Sequence, residues 1–189
     1  MLARRLAPLL LLFLALTAPA ATPAAATPED RLAPLFAELK RDLPPERVGE
    51  IEAEIWSIWA AAPPGRSDIE LLMEAAGDMI RHEEFGKAVV ALDEAINLAP
   101  DYPEAWNRRA TAHYHAGDYA ASIADIARTL ELEPRHFPAL AGLGMINMSL
   151  GRMKEALANY EAALAINPHF RAAKLHAAAL RELLKGEPT

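Results

Sequence analysis

Between residues 69 and 170, apolar side chains return at helical spacing inside units of 34 residues, with polar side chains filling the positions between them. Each unit closes on a proline, Pro100, Pro134 and Pro168 in turn, which sets the units at 69–102, 103–136 and 137–170. A fixed period of about 20 to 50 residues is the mark of a stacked repeat array. Inside each unit the pattern predicts two helices. The second unit runs through Trp106, Ala110, Tyr119, Ile123, Leu130 and Leu132, and the third through Leu140, Leu143, Met153, Leu157, Tyr160, Leu164 and Ile166. The first is weaker, with Leu72, Ala76, Phe85, Val89, Leu92, Ile96 and Leu98 at the matching offsets.

Small residues recur where two helices must cross closely: Ala76, Ala110 and Gly144 on the first helix of each unit. Ala88, Ser122 and Ala156 answer them on the second helix, followed by Ala95, Thr129 and Ala163. Gly117 and Gly151 sit just past a first helix, where glycine takes a left-handed cap at least cost. Each proline ends a second helix, having no N–H and disfavouring helix in the residue before it.

These offsets resemble the tetratricopeptide repeat (TPR) family, whose unit is a helix–turn–helix of 34 residues. The resemblance covers residues 69–170 and implies an all-α solenoid of helical hairpins. Three departures stand out. Arg109-Ala110 replaces the usual Leu-Gly pair, His113 the usual aromatic, and Glu83 the loop glycine of the first unit.

Ahead of the array, Leu32, Leu35, Phe36 and Leu39 mark a short amphipathic helix broken at Leu43-Pro44-Pro45. A second helix, from about 46 to 61, carries Val48, Ile51, Ile55, Ile58 and Trp59 along one face. Residues 31–66 thus read as a degenerate helical hairpin with the shape of a repeat unit, and Ser67 with Glu70 as the capping box of the first clear unit. After the array, 171–185 reads as a cap helix with Ala173, Ala177, Ala178 and Leu180 facing inward. Its outer face is polar, as a terminal repeat requires.

Residues 1–20 have the order of a secretory signal peptide: Arg4-Arg5, an apolar run over 9–16, then Ala18-Pro19-Ala20. A second small-residue site, Ala24-Ala25-Ala26, competes with the first, so cleavage falls after residue 20 or as late as 26. The Ala/Pro/Thr stretch over 22–28 makes 21–30 read as a disordered linker. The apolar run is too short to span a bilayer, so export to the periplasm is expected, with release from the cell as the alternative. No cysteine occurs in the sequence, which leaves no lipid attachment point and no disulfide framework. Removing the leader takes two arginines and no acids, moving the formal charge from -7 to -9. Nucleic acid and anionic membrane surfaces are therefore poor partners.

Candidate chemistry is sparse. There is no Gly-rich phosphate loop, no nucleophile elbow and no His-Glu-x-x-His, so no catalytic residue and no cofactor are expected. His113 and His115 lie two apart on one helix and point away from each other, and His136 and His169, in equivalent inter-repeat turns, have no carboxylate or second histidine at ligand spacing. The resemblance implies instead that the first helix of each unit lines a concave surface. The candidate groove residues are Met73, Ile80, Asn107, Thr111, Tyr114, Ala141, Met145 and Met148, with Leu175 from the cap helix. The wall is polar at its amino end and apolar at its carboxyl end, where methionines make an adaptable surface for an apolar peptide or helix face. Thr111, Met145 and Ala179 occupy places where relatives that grip a chain-terminal carboxylate need donors, so such a tail is not expected. The reading is a non-catalytic adaptor or scaffold of the bacterial envelope that binds a protein or peptide in its groove. Alternatives are a structural module that self-associates through the hairpin, and an enzyme without a recognisable motif. A competing expectation for the groove is that the hairpin, through Trp56 and Trp59, fills it.

Overall fold

Helix α1 (Pro28–Leu39) opens on Thr27, whose hydroxyl accepts the Asp30 amide while Asp30 accepts the Thr27 N–H, a reciprocal capping box. The computed structural model describes residues 26–186, so the signal-peptide readings on residues 1–25 lie outside the described residues. Helix begins inside the stretch expected to be linker, because the box at Thr27 and a proline at the first helical position set it there. Helix α2 (Pro45–Ala60) follows, and Leu32, Leu35, Phe36 and Leu39 of α1 join Ile51, Ile55, Ile58 and Trp59 of α2 in one buried cluster.

Three hairpins come next: α3 (Ser67–Arg81) with α4 (Phe85–Leu98), α5 (Pro103–His115) with α6 (Tyr119–Leu132), and α7 (Phe137–Ser149) with α8 (Met153–Ile166). Helix α9 (Arg171–Lys185) packs on α8. Among the described residues all regular structure is helical, giving an all-α helical-repeat solenoid. All nine small-residue crossing positions are buried. Two of them are polar, and each satisfies a helix carbonyl: Ser122 Oγ donates to Ala110 O at 2.7 Å and Thr129 Oγ1 to Asp125 O at 2.9 Å.

Local details correct two expectations. Ser67 makes no cap: Arg66 is the N-cap residue of α3, and its guanidinium binds Asp68 and the Leu98 carbonyl instead. In α9 the buried side chains are Ala173, Ala177 and Leu180, while Ala178 is exposed, being one step off the i, i+4, i+7 stripe.

Gly117 and Gly151 adopt φ of 81° and 72°, as the cap position requires. Glu83 stands at the same offset of the first unit with φ of 60°, a conformation that costs an L side chain about 1–2 kcal/mol. Glu83→Gly is therefore expected to stabilise the protein by about 1 kcal/mol, read as a higher urea midpoint at unchanged slope. A lower midpoint would show that the side chain has a compensating role.

The departures at Arg109 and His113 form one polar cluster. The Arg109 guanidinium makes a bidentate pair with Asp125, at 2.9 and 2.7 Å, reaches Asp93 at 2.5 Å and lies 4.9 Å over the Trp106 ring. His113 Nε2 stands 3.9 Å from the same Asp125 carboxylate. The Asp125 hydrogen bonds drive the Arg109 guanidinium still further above its already high value.

The α1–α2 hairpin does not stack on α3 as a preceding repeat would. It lies along one edge of the array, across the three turns that join each unit to the next. At the first turn Tyr102 Oη donates to Ala60 O at 2.8 Å. At the second, the Trp59 ring stacks on His136 at 4.3 Å, Trp59 Nε1 approaches Glu133 at 3.4 Å, and Arg135 pairs with Glu29 at 2.5 Å. At the third, Asn167 donates to Glu52 at 2.6 Å, the His169 ring meets Arg41 O at 2.9 Å, and Lys40 reaches Ala165 O. The apolar core follows the same geography. The hairpin shares one cluster with α7, α8 and α9, while α3, α4 and the start of α5 form another. Pro63, Pro64 and Gly65 (φ 76°) redirect the chain between hairpin and array.

Burial pushes the hydroxyls of Tyr102 and Tyr160 up to about 12 each. A tyrosine with a folded value above its unfolded value of about 10 favours the fold below that pH, and this contribution is lost as pH climbs through the folded value. Stability is expected to fall between about pH 10 and 12, with tyrosinate absorbance lagging in the folded protein and one late tyrosine missing in Tyr102→Phe. Complete titration of all tyrosines by about pH 11 in the folded state would contradict this.

Candidate binding groove

The first helices of successive units lie side by side, α3 against α5 and α5 against α7, the arrangement that lines the concave surface of a repeat array. Arg108, one residue beyond Asn107 on α5, donates to the Met73 carbonyl at 3.0 Å and to Glu104 at 3.0 Å. Arg81 pairs with Asp78, so both guanidinium groups at the amino end are matched by carboxylates. They converge over Gly77, where an added Cβ would lie 3.6 Å from Arg81 Nη1 and 3.7 Å from Arg108 Nη1. Burial would push the Glu104 carboxyl up, but the His136 and Arg108 donors outweigh it and hold it below the usual carboxylate range.

The middle of the groove opens into a cavity of about 260 Å³ between α5 and α7. Its floor is Ala110, Ile126, Ala139 and Ile146, and its rim is Asn107, Thr111, Tyr114, His115, Pro138 and Met145. The space exists because small residues face each other across the two helices: Ala110 on α5, Ala139 and Gly142 on α7. At Gly142 a methyl group would meet only Ile126 Cδ1, at 3.6 Å. The rim hydroxyls are partly engaged within the chain. Thr111 Oγ1 donates to Asn107 O at 3.1 Å and Ser149 Oγ to Met145 O at 3.1 Å. Beyond the cavity, Met145 is 40% exposed and Leu175 on α9 is 62% exposed, which extends the apolar wall toward the carboxyl end.

The structure sorts the expected groove residues into three groups. Asn107, Thr111, Tyr114 and Met145 come together around the cavity, Leu175 is exposed on α9, and Ile80 is half-buried on α3. Met73 and Ala141 are corrected: both are buried in the core, at 4% and 7% exposure, and offer no surface. Met148 is half-buried against the core and its Sδ accepts from Tyr160 Oη at 3.5 Å. Sequence reasoning missed Gly142, Ala139, Ile126 and Arg108. The signal for the first two was there, since paired small residues on successive first helices leave room between them. No hairpin residue lines the cavity. A wider cleft of about 680 Å³ lies instead between Thr27, Leu32, Trp59, Pro63, Tyr102 and Glu133, where loops meet rather than where the repeats converge.

Family models for the tetratricopeptide repeat match residues 78–131 and 137–170. A TPR repeat-containing protein of Rhizobium etli is 40% identical over 166 residues, covering 88% of this chain and 80% of that relative. The chain belongs to the TPR family. The Rhizobium match is longer than the repeats and cap helix together, so the similarity takes in the hairpin segment of this TPR protein as well as its array. Human serine/threonine-protein phosphatase 5 is 26% identical over 106 residues, but the chain spans only 21% of that enzyme. Among solved structures, the first TPR domain of Spaghetti bound to an HSP90 peptide superposes with a TM-score of 0.59 at 19% identity, over 62% of this chain and 94% of that one. That likeness concerns the fold alone.

Proposed function

We propose that this TPR protein is a non-catalytic binding module that holds a protein or peptide in its concave groove, with one large apolar side chain of the partner seated between α5 and α7. The observation that carries the reading is the apolar-floored cavity of about 260 Å³ opening into the groove beside Met145. It falls just below the size of small-molecule pockets, roughly 300–1,000 Å³, and suits a side chain better than a whole ligand. The Spaghetti domain, which holds an HSP90 peptide, lends support from the same fold. Here the arginines at the amino end are already matched by Asp78 and Glu104, so the apolar half supplies the free surface. The reading places the protein in the bacterial envelope, supported by the charge–apolar–small order of residues 1–20.

Panning the mature chain against a displayed random-peptide library tests the groove. Enriched peptides are expected to share a large aliphatic or aromatic residue. Gly142→Ala should weaken them by narrowing the cavity while strengthening α7, and Met145→Glu should weaken them through the desolvation cost of a carboxylate. Peptides that bind both variants as well as the parent would remove the groove from consideration. Cell fractionation with amino-terminal sequencing tests the envelope assignment, and a full-length chain in the cytosol would sink it.

A further inference from the structure

We propose that the α1–α2 hairpin is a strap that fixes the pitch of the repeat array, with the stack of Trp59 on His136 as the tie that holds α7 in place. A plain solenoid has only nearest-neighbour contacts, so each unit can tilt or open with little effect on units two places away. Here one element touches every joint. Tyr102, His136 and Phe170 occupy the same offset at the end of their units, and so do Ala99, Glu133 and Asn167. From these equivalent joints the chain has drawn specific partners for the hairpin: the Tyr102 hydroxyl, the Glu133–Arg135–His136 group, and the Asn167–His169 pair.

The middle tie reaches furthest into the groove. His136 is fully buried, and its Nδ1 accepts the Ala139 amide at 3.2 Å, capping α7. That bond leaves the proton on Nε2, which faces Glu104 on α5 at 3.4 Å. One ring therefore carries the Trp59 stack on one side and caps the start of α7 at Nδ1, while Nε2, which has no hydrogen-bond partner among the described residues, faces the start of α5. These two helices form the opposing walls of the groove cavity, so the hairpin sets the distance between them through a residue that touches both. His136 is a positioning residue in this account, and it holds the cavity open whether or not a ligand is present.

Native-state hydrogen exchange on the full mature chain tests the strap. In the parent protein, amides at all three joints (99–102, 133–136 and 167–170) and at the start of α7 should open only with global unfolding. Trp59→Ala should release them together, with exchange at least about tenfold faster at the first and third joints as well as the second. Leu92→Ala, which empties a buried position in the α3–α4 core, a cluster that reaches the first joint but holds no hairpin residue, gives a variant of comparable global instability. Its joints should still open only with global unfolding, at the rate of the slowest core amides, whereas in Trp59→Ala the joints should exchange faster than those amides. His136→Asn separates the two roles of the ring, since asparagine keeps a helix-capping acceptor but loses the stack. It should behave like Trp59→Ala at the joints while protecting the Ala139 amide. If Trp59→Ala speeds exchange only within 28–60 and the second joint, or if Leu92→Ala loosens the joints in the same pattern, the hairpin is a passenger and the proposal falls.

Discussion

Gly144→Leu is expected to cost several kcal/mol, a large part of the roughly 5–15 kcal/mol that holds a domain of this size together. A single Cβ at Gly144 would already lie 2.9 Å from Tyr160 Cζ and 3.0–3.1 Å from its neighbours in the ring. The sequence pattern pointed to Ala156 as the facing residue, but it is the Tyr160 ring that lies flat against the glycine. That ring has nowhere to go. It is fully buried, stacks on His176 at 5.0 Å and donates to Met148 Sδ. Gly144→Ala isolates the effect: the gain of about 1 kcal/mol in helix propensity should be outweighed by overpacking of about 1–3 kcal/mol. Gly49→Ala is the matched control. Gly49 sits inside α2 with nothing within 4 Å of an added Cβ, so alanine should stabilise there by about 0.5–1 kcal/mol. Urea denaturation of the three variants reads both signs, and equal midpoints for Gly144→Ala and Gly49→Ala would refute the packing argument.

Arg109→Ala should destabilise by about 3–5 kcal/mol, the usual cost of stranding a buried charge. The Asp125 side chain is 6% exposed, and Arg109 supplies both of its charged hydrogen bonds. Asp93 is about half exposed and should contribute little, so Asp93→Ala is expected to cost less than about 1 kcal/mol. The decisive comparison is the double change Arg109→Leu with Asp125→Leu. Replacing a buried pair with apolar side chains of similar volume is often neutral or stabilising, so this variant should recover most of what Arg109→Ala loses. Thermal melts at low and high salt complete the test. A double variant as unstable as the single one would mean that the cluster contributes through Trp106 and His113 instead.

The array itself was legible in the sequence because each unit repeats the same demands. Small residues at Ala76, Ala110 and Gly144, glycines at Gly117 and Gly151, and the three prolines all answer local steric requirements. A reader can see these without knowing what lies far away. The hairpin as an element was legible for the same reason, from the faces of Leu32–Leu39 and Val48–Trp59. Its placement was not. Nothing in Trp59 or Glu52 names a partner 74 or 115 residues distant, respectively, and a hairpin of repeat-like length invites the assumption that it stacks as a repeat. Burial of Met73 and Ala141 was hidden too, since periodicity gives the side of a helix but not how deeply its neighbours cover it. The cavity was half legible. Its small residues were visible, but the space between them depends on the distance between α5 and α7.

The edge position of the hairpin also bears on the order in which the protein is made. Ties running from Glu29, Lys40, Arg41 and Glu52 close over 106 to 128 residues of intervening chain. In an ordinary repeat array each unit can find its neighbour as soon as both have emerged. Here α1 and α2 emerge first, yet their last partners, Asn167 and His169, emerge after almost the whole array. The closure penalty grows only slowly with length, so the delay matters more than the entropy. Until the last members of their cluster, in α8 and α9, appear, Leu39, Ile51 and Ile55 are only partly covered and leave apolar surface open to anything nearby. The first two helices to be synthesised are thus the last to be finished, and the nascent chain is at its most adhesive in the interval between.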